Sequence, residues 1–174
     1  TTITGSVADI KTVAAAAGIT KAANWSAVPT DVSISVADAN ALDAATSTGF
    51  ITATITEGDV TTLKTLTGTN NAYTLTVTDA TAAAADLIAL DARTTVAVGA
   101  SKVTTITGSV ADIKTVAAAA GITKAANWSA APTDTLVSVA DANILNAANG
   151  DGVITATITA GTVATLMALT GTNN

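Results

Sequence analysis

Short stretches in which apolar and hydroxyl side chains alternate recur along this chain. Residues 51–56 (ITATIT) return letter for letter as residues 154–159, and related stretches lie at 2–4, 32–36 and 73–78. A period of two residues is that of a β-strand, whose side chains point alternately to its two faces. Each stretch therefore predicts a half-buried strand with Ile, Ala, Leu or Val on one face and Thr or Ser on the other.

A helical pattern follows each of these strands. Residues 7–17 lie between Ser6, a residue type favoured at a helix start, and Gly18, the type favoured just after a helix end. Shorter helices are predicted near 38–45, 60–66 and 86–91. The longer connections at 19–31 and 93–102 are predicted as loops, with a short extra strand at 95–98. The predicted repeat unit is thus one strand followed by one short helix.

A second, longer repeat contains about four of these units. Residues 1–71 align without a gap to residues 104–174, a shift of 103 positions, and the first 27 positions are identical. We predict one continuous segment over 1–174, made of a first long repeat at 1–103 and a partial second copy at 104–174. Asn70 and Asn71, the counterparts of Asn173 and Asn174, lead into a strand. A further unit is therefore expected after the last residue, in a longer parent chain.

Units of this size cannot bury their apolar faces alone and must stack on their neighbours. Strands that are connected through helices pair in parallel, with all helices on one side. The predicted fold is an α/β repeat solenoid with a parallel sheet on one face and helices on the other, similar in plan to leucine-rich repeats. A β-sandwich is the alternative, and the Ala-rich segments at 13–17 and 82–85 argue against it.

Charge and composition exclude several functions. The formal net charge is −6 with seven Lys and Arg residues, so neither nucleic acid nor insertion into a membrane is expected. The chain has no His and no Cys, which removes the commonest general base and thiolate chemistry. Since no nucleophile has a partner base at a suitable spacing, we predict that the protein is not an enzyme.

The hydroxyl faces of the strands form the first candidate site. Stacked strands would place one row of Thr residues beside the next, in a regular surface array of hydroxyl and methyl groups. Such an array resembles the ice-binding faces of some antifreeze proteins. The simpler interpretation is that Thr has high strand propensity and tolerates water. The candidate array consists of Thr52, Thr54, Thr56, Thr74, Thr76, Thr78, Thr155, Thr157 and Thr159.

Carboxylates and tryptophans supply two further candidates. The acidic side chains at strand and helix ends are alternatives as Ca²⁺ ligands or as helix caps, and capping is favoured because no dense calcium loop occurs. No metal site or cofactor is predicted. Trp25 and Trp128 are candidates for stacking on a sugar ring, although a gap-filling role in the core is preferred. The acidic residues concerned are Asp31, Asp38, Asp43, Glu57, Asp59 and Asp79.

The Thr- and Ala-rich phrases at 76–92 and 51–56 resemble the tandem repeats of very large cell-surface proteins of cyanobacteria and other marine bacteria. The resemblance implies an extracellular structural role in a surface layer, an adhesin stalk or a motility-associated protein. The predicted function is a non-catalytic spacer whose partners are neighbouring repeats, with end-to-end association of exposed end units. The alternatives are a Thr surface that binds ice, glycan or mineral, and a designed or consensus repeat protein.

Overall fold

A computed structural model of the chain describes residues 1–171, and over this range the protein is an α/β protein with short strands in small parallel sheets. The strands are β1 (Thr2–Gly5), β2 (Ser26–Pro29), β3 (Thr52–Thr54), β4 (Ala72–Thr74), β5 (Thr81–Ala83), β6 (Val98–Ala100), β7 (Thr105–Gly108), β8 (Ile122–Lys124) and β9 (Ser129–Pro132). The predicted continuation after Asn173 and Asn174 lies outside the described residues.

Seven α-helices lie between or after these strands in the described part of the chain. They are α1 (Val7–Ala15), α2 (Val36–Thr46), α3 (Val60–Leu63), α4 (Ala84–Asp91), α5 (Val110–Ala118), α6 (Val139–Ala148) and α7 (Val163–Leu166). The chain forms two compact parts: the first contains Thr1–Thr76 and Leu90–Val98, and the second contains Val77–Ala89 and the chain from Gly99 onward. The division into long repeats at 1–103 and 104–174 stays a prediction of the sequence.

Parallel pairing joins successive strand-and-helix segments in the first part. Strand β1 pairs with β2 so that Thr2 lies beside Ser26. Ala27 then forms a parallel bridge with Ile51, at the same separation along the sequence. Strand β3 pairs with β4, and a further parallel bridge links Asn71 to Thr94.

The second part repeats this pattern. Strands β5, β7 and β9 form one parallel sheet in which Thr81, Thr105 and Ser129 are in register. A bridge from Ala130 to Ile154 continues the series with an unchanged sequence separation. Strands β6 and β8 form a separate two-stranded sheet. The parallel strands of the prediction are therefore confirmed, as several small sheets.

Helix starts follow the capping rules of the sequence. The Ser6 hydroxyl accepts a hydrogen bond from the Asp9 amide, and Ser35 does the same for Asp38. Both caps recur in the second copy, at Ser109 and Ser138. Helix α1 ends at Ala15, before the predicted stop at Gly18. Hydroxyl caps at the first turn thus fix where these helices begin.

Aliphatic side chains and two Trp residues form the buried core. Val7 and Ile10 of α1 and Leu42 of α2 point inward, whereas Ala45, predicted to face inward, is exposed. The core carries few aromatic rings and consists mainly of closely packed aliphatic side chains, as an aromatic-poor sequence requires. Its largest fully buried side chains are Ile10, Leu42, Ile51, Leu63, Leu66, Tyr73, Leu75, Leu87, Leu90, Ile106, Ile113 and Trp128.

Three predicted boundaries were wrong. The second strand lies at Ser26–Pro29 in the predicted loop, while the stretch 32–36 contains one bridge residue, Ile34, and the cap Ser35. The Ala-rich segment at 82–85 begins in a strand, β5, because Ala82 pairs in register with Ile106. The short extra strand predicted at 95–98 lies at Val98–Ala100. Pairing with a neighbouring unit outweighs the weak local preference of these segments.

Gly49 lies where the backbones of two neighbouring units approach closely. A Cβ atom at this position would collide with the carbonyl oxygen of Trp25, and Gly152 has the same relation to Trp128. We expect Gly49→Ala to lower the free energy of unfolding by about 1–3 kcal/mol, because backbone must move to admit the methyl group. Urea denaturation followed by circular dichroism measures the change.

Gly18→Ala is the matched control, since a Cβ there meets nothing within 4 Å. We expect this substitution to leave stability unchanged or slightly raised, through a less flexible unfolded chain. Equal effects of the two substitutions would contradict the close approach at Gly49.

Candidate functional site

All nine Thr residues of the candidate array are exposed. Along residues 73–78 the burial alternates strictly, with Tyr73, Leu75 and Val77 buried and the intervening Thr side chains exposed. The alternation in this stretch therefore places the apolar side chains on the buried face and the Thr side chains on the exposed face, as the sequence predicts. The exposed residues are Thr52, Thr54, Thr56, Thr74, Thr76, Thr78, Thr155, Thr157 and Thr159.

Strand pairing sets the register between two of the Thr rows. Thr54 lies beside Thr74, but Thr52 lies beside Ala72. The hydroxyl of Thr56 donates to the hydroxyl of Ser33 at 2.9 Å, so part of the row bonds within the protein. Within β3 and β4, the pairing thus places one Thr of the candidate array directly beside another.

An open cleft of about 250 Å³ lies beside these threonines in the first part of the chain. One side is formed by Thr52, Thr54 and Thr74, and the other by residues 28, 29, 31 and 32, with the Val32 side chain almost fully exposed. The lining offers hydroxyls, methyl groups and one carboxylate. The described residues that line the cleft include no positively charged side chain and no buried polar side chain.

The two candidate aromatic contacts, Trp25 and Trp128, are buried. The backbone carbonyl of each lies against a glycine of the next unit, Gly49 and Gly152 respectively. With their rings enclosed, neither indole presents a face on which a sugar could stack. The structure thus places both residues inside the core of their own part.

Four of the six carboxylates predicted as caps or calcium ligands act at helix starts, whereas Asp43 lies within α2 and Asp79 lies between β4 and β5. Asp59 is the N-cap of α3, where its side chain accepts from the Thr62 amide at 2.8 Å. This hydrogen bonding, from the Thr62 side chain first and its amide second, lowers the pKa of Asp59. Its counterpart Thr162 caps α7 in the same way. A hydroxyl therefore replaces the carboxylate without loss of the cap.

Three other carboxylates cap a helix of the preceding unit. Asp31 accepts from the Val7 amide at 2.7 Å, and Asp134, its counterpart, accepts from the Val110 amide at 2.6 Å. Glu57 accepts from the amide of Val36 at 3.0 Å. These amides belong to the first helical residues, which have no acceptor within their own helix. Each carboxylate thus joins a helix to the unit that follows it, and also complements the positive end of the helix dipole.

Ion pairs add a second link between units. The Lys11 ammonium donates to Asp38 at 2.9 Å, and Lys114 donates to Asp141 at 2.7 Å. The hydrogen bond from the lysine, with a smaller one from the capping serine, lowers the pKa of each aspartate. Both pairs are partly exposed, so their contribution to stability is small and depends on salt.

Asparagine side chains make links that the sequence analysis missed. Asn40 donates to the carbonyl of Thr65 and accepts from the amide of Thr67, and Asn143 makes the equivalent two bonds to Ala168 and Thr170. Two backbone groups of the next unit are thus satisfied by one amide. The signal that could have found them is an Asn retained at the same helical position in both copies.

Asp43 belongs to a polar cleft of about 230 Å³ in the first part. Its carboxylate accepts from Asn71 at 2.9 Å and from the Thr67 hydroxyl at 3.1 Å, and the buried Asn71 in turn accepts from the Ile51 amide at 2.7 Å. These bonds use both oxygens of the carboxylate. The cleft is therefore a hydrogen-bonded joint between units rather than an arrangement of free ligands.

Within residues 1–171, no group of three or more acidic side chains is arranged to hold a metal ion. Asp31, Asp38, Asp43, Glu57 and Asp59 each make separate hydrogen bonds instead. No helix in the same range has both the length and the apolar composition needed to cross a bilayer.

No family model, curated protein or solved structure matches this chain.

The lowered pKa of Asp38 predicts a dependence of stability on pH. A carboxyl whose pKa is lower in the folded state stabilises the fold fully above its ordinary value of 3.8, and this stabilisation is lost as the pH falls through the folded value. We expect Lys11→Met to reduce the loss of stability between pH 5 and acid conditions, because Asp38 then titrates nearer its ordinary pKa. Urea denaturation across this pH range measures the loss.

Lys102→Met removes the same charge from an exposed residue that makes no ion pair with Asp38 or Asp141. Its pH profile should follow that of the unsubstituted protein. Identical profiles for Lys11→Met and Lys102→Met would show that the ion pair does not control this titration.

Proposed function

We propose that this chain is a structural repeat segment in which strand-and-helix units stack in one direction as a solenoid. Its mechanical role is that of a spacer: each unit holds the next, and the distance between the ends of an array grows with the number of units. In this proposal the protein is non-catalytic, needs no cofactor, and has neighbouring repeats of the same kind as its partners.

The observation that carries the proposal is the recurring sequence separation between paired residues. In both compact parts, a residue of one unit pairs in parallel with its equivalent in the next unit, as Thr2 does with Ser26 and Thr105 with Ser129. Shorter steps occur at β3 with β4 and at Ile34 with Ile55. Regular parallel pairing between sequence neighbours is expected of a structure that is stacked one unit at a time.

Side-chain hydrogen bonds and ion pairs that span similar separations along the sequence support this interpretation. The carboxylate caps join residues 21 or 24 positions apart, the ion pairs 27, and the asparagine bridges 25 or 27. Each bond therefore connects a unit to its immediate neighbour. Tension on an array would act on several such joints together with the parallel backbone bonds.

The resemblance of the Thr- and Ala-rich phrases to repeats of giant bacterial surface proteins supports an extracellular setting. A surface layer or an adhesin stalk requires length, rigidity and a polar exterior. The exposed Thr rows that lie over an aliphatic core supply the polar exterior. They do so with few basic residues in the chain. Nucleic acid and membrane insertion have no place in the proposal.

Adding one more long repeat, equivalent to residues 1–103, to the chain tests the stacking directly. If units stack at the spacing of paired strands, the added repeat lengthens the longest dimension by about 20 Å, because its roughly four units each contribute about 4.8 Å. We expect the ellipticity per residue to stay constant while the dimension grows by equal steps with each repeat. Small-angle X-ray scattering measures the dimension, and circular dichroism measures the secondary structure.

A chain of the same length with a flexible Gly-Ser segment inserted between long repeats serves as the control, since it breaks the parallel pairing at that junction. A radius that grows with about the 0.38 power of chain length, as for a globule, would contradict the solenoid.

A further inference from the structure

The polar cleft around Asp43 contains a carboxylate that can accept more hydrogen bonds than it receives. We call this cleft, formed by Asp43, residues 47–49 and residues 67–71, the Asp43 cleft. Each oxygen of Asp43 accepts one bond, from Asn71 and from Thr67, whereas a carboxylate has about four acceptor positions. Among the described residues that line the cleft, Asp43 is the only charged one. The half-buried carboxylate therefore has acceptor positions left for a further donor.

A buried amide holds this carboxylate in place. Asn71 is 1% exposed, accepts from the Ile51 amide at 2.7 Å and donates to Asp43 at 2.9 Å. A Cβ atom at Gly68 would collide with the side chains of Asp43 and Asn71, so the glycine allows both to lie against the backbone. The acceptor in the cleft is thus fixed in one orientation before any ligand arrives, which lowers the cost of binding.

Ser47 lines the same cleft in an unfavourable backbone conformation. Its φ and ψ angles are 58° and −93°, and within residues 1–171 it is the only residue other than glycine with a positive φ. Its counterpart in the second copy is Gly150, with φ 62°. A serine at such a position costs stability that a glycine would not. Backbone strain of this kind is typical of functional sites, where the side chain is needed.

The groups near Asp43 favour a ligand that carries hydroxyls. The buried Tyr73 hydroxyl has no hydrogen-bond partner among the described residues. Burial, and then the negative charge of Asp43, raise the pKa of Tyr73, so this hydroxyl is a donor near the carboxylate. A ligand hydroxyl donates to a carboxylate and accepts from such donors at the same time. Calcium instead takes about six to eight oxygen ligands, and this cleft supplies one carboxylate.

We propose that the Asp43 cleft binds a neutral sugar residue through two adjacent hydroxyl groups, one donating to Asp43 and the other bonding to the Ser47 hydroxyl. The volume of about 230 Å³ is below the range of about 300–1,000 Å³ of pockets for drug-sized ligands, so it suits a single ring. The site is distinct from the Thr rows at 52–56 and 74–78. It adds a binding function to the spacer and does not require the solenoid.

Two variants of the full chain test the residues of the site. Asp43→Asn removes the charge, and the fold accepts it because Asn146 occupies the equivalent position of the second copy. Ser47→Gly removes the strained hydroxyl and introduces the residue type of Gly150. Asp59→Asn is the control, because it removes a carboxylate outside the cleft and Asn keeps the helix cap.

Titration with the methyl glycosides of glucose, galactose and mannose, followed by ¹⁵N-¹H NMR, gives the test. We expect at least one glycoside to shift the Asn71 side-chain amide and the Gly68 backbone amide. Asp43→Asn should weaken this binding at least about tenfold, as the loss of a hydrogen bond to a charged group predicts. Ser47→Gly should also weaken binding while raising the midpoint of urea denaturation, and Asp59→Asn should bind as the unsubstituted chain does.

The probe also has a matched control. Tetrahydropyran-2-methanol keeps the ring and lacks the adjacent hydroxyls, so it should not shift these amides. The proposal is overturned if no glycoside shifts them, if the control compound shifts them equally, or if either cleft variant binds with unchanged affinity. A response to calcium chloride without a response to any glycoside also overturns it, in favour of a cation site.

Discussion

The backbone amides at the helix starts are the constraint on which the repeat units depend. The first turn of a helix has amides without acceptors inside the helix. Here a serine such as Ser6 satisfies one of them locally, but the Val7 amide is satisfied by Asp31, which belongs to the next unit. A helix of one unit is therefore completed by its neighbour, and the same holds for Val110 and Asp134 in the second copy. Formation of the helix is therefore coupled to its contact with the following segment of the chain.

Small aliphatic side chains make the same coupling necessary in the core. Residues such as Ile51 and Leu63 are fully buried where a following strand covers them. Each buried aliphatic side chain contributes about 1.5–3 kcal/mol. Much of the stabilisation of a unit is thus gained at its junction with the next unit, and little of it within the unit alone.

The sequence predicts what depends on local chemistry. Serine and aspartate caps, the two faces of residues 73–78 and the start of α1 follow from residue type and spacing. It does not predict what depends on a neighbour: Ser26–Pro29 and Thr81–Ala83 are strands because a partner strand lies alongside, although Pro and Ala are poor strand formers. The hydrogen bonds of Asn40 and Asn143 were not predicted because a single helical Asn has no periodic pattern, and only its retention in both copies indicates them.

Hydrogen exchange at the Val7 amide tests most directly whether a carboxylate of the next unit completes each helix. In Asp31→Ala we expect this amide to exchange at least about tenfold faster, which corresponds to the loss of a hydrogen bond to a charged group. The Val110 amide, still bonded to Asp134 at 2.6 Å, is the control within the same molecule and should keep its protection. Unchanged exchange at Val7, or equal acceleration at both amides, would contradict this coupling between neighbouring units.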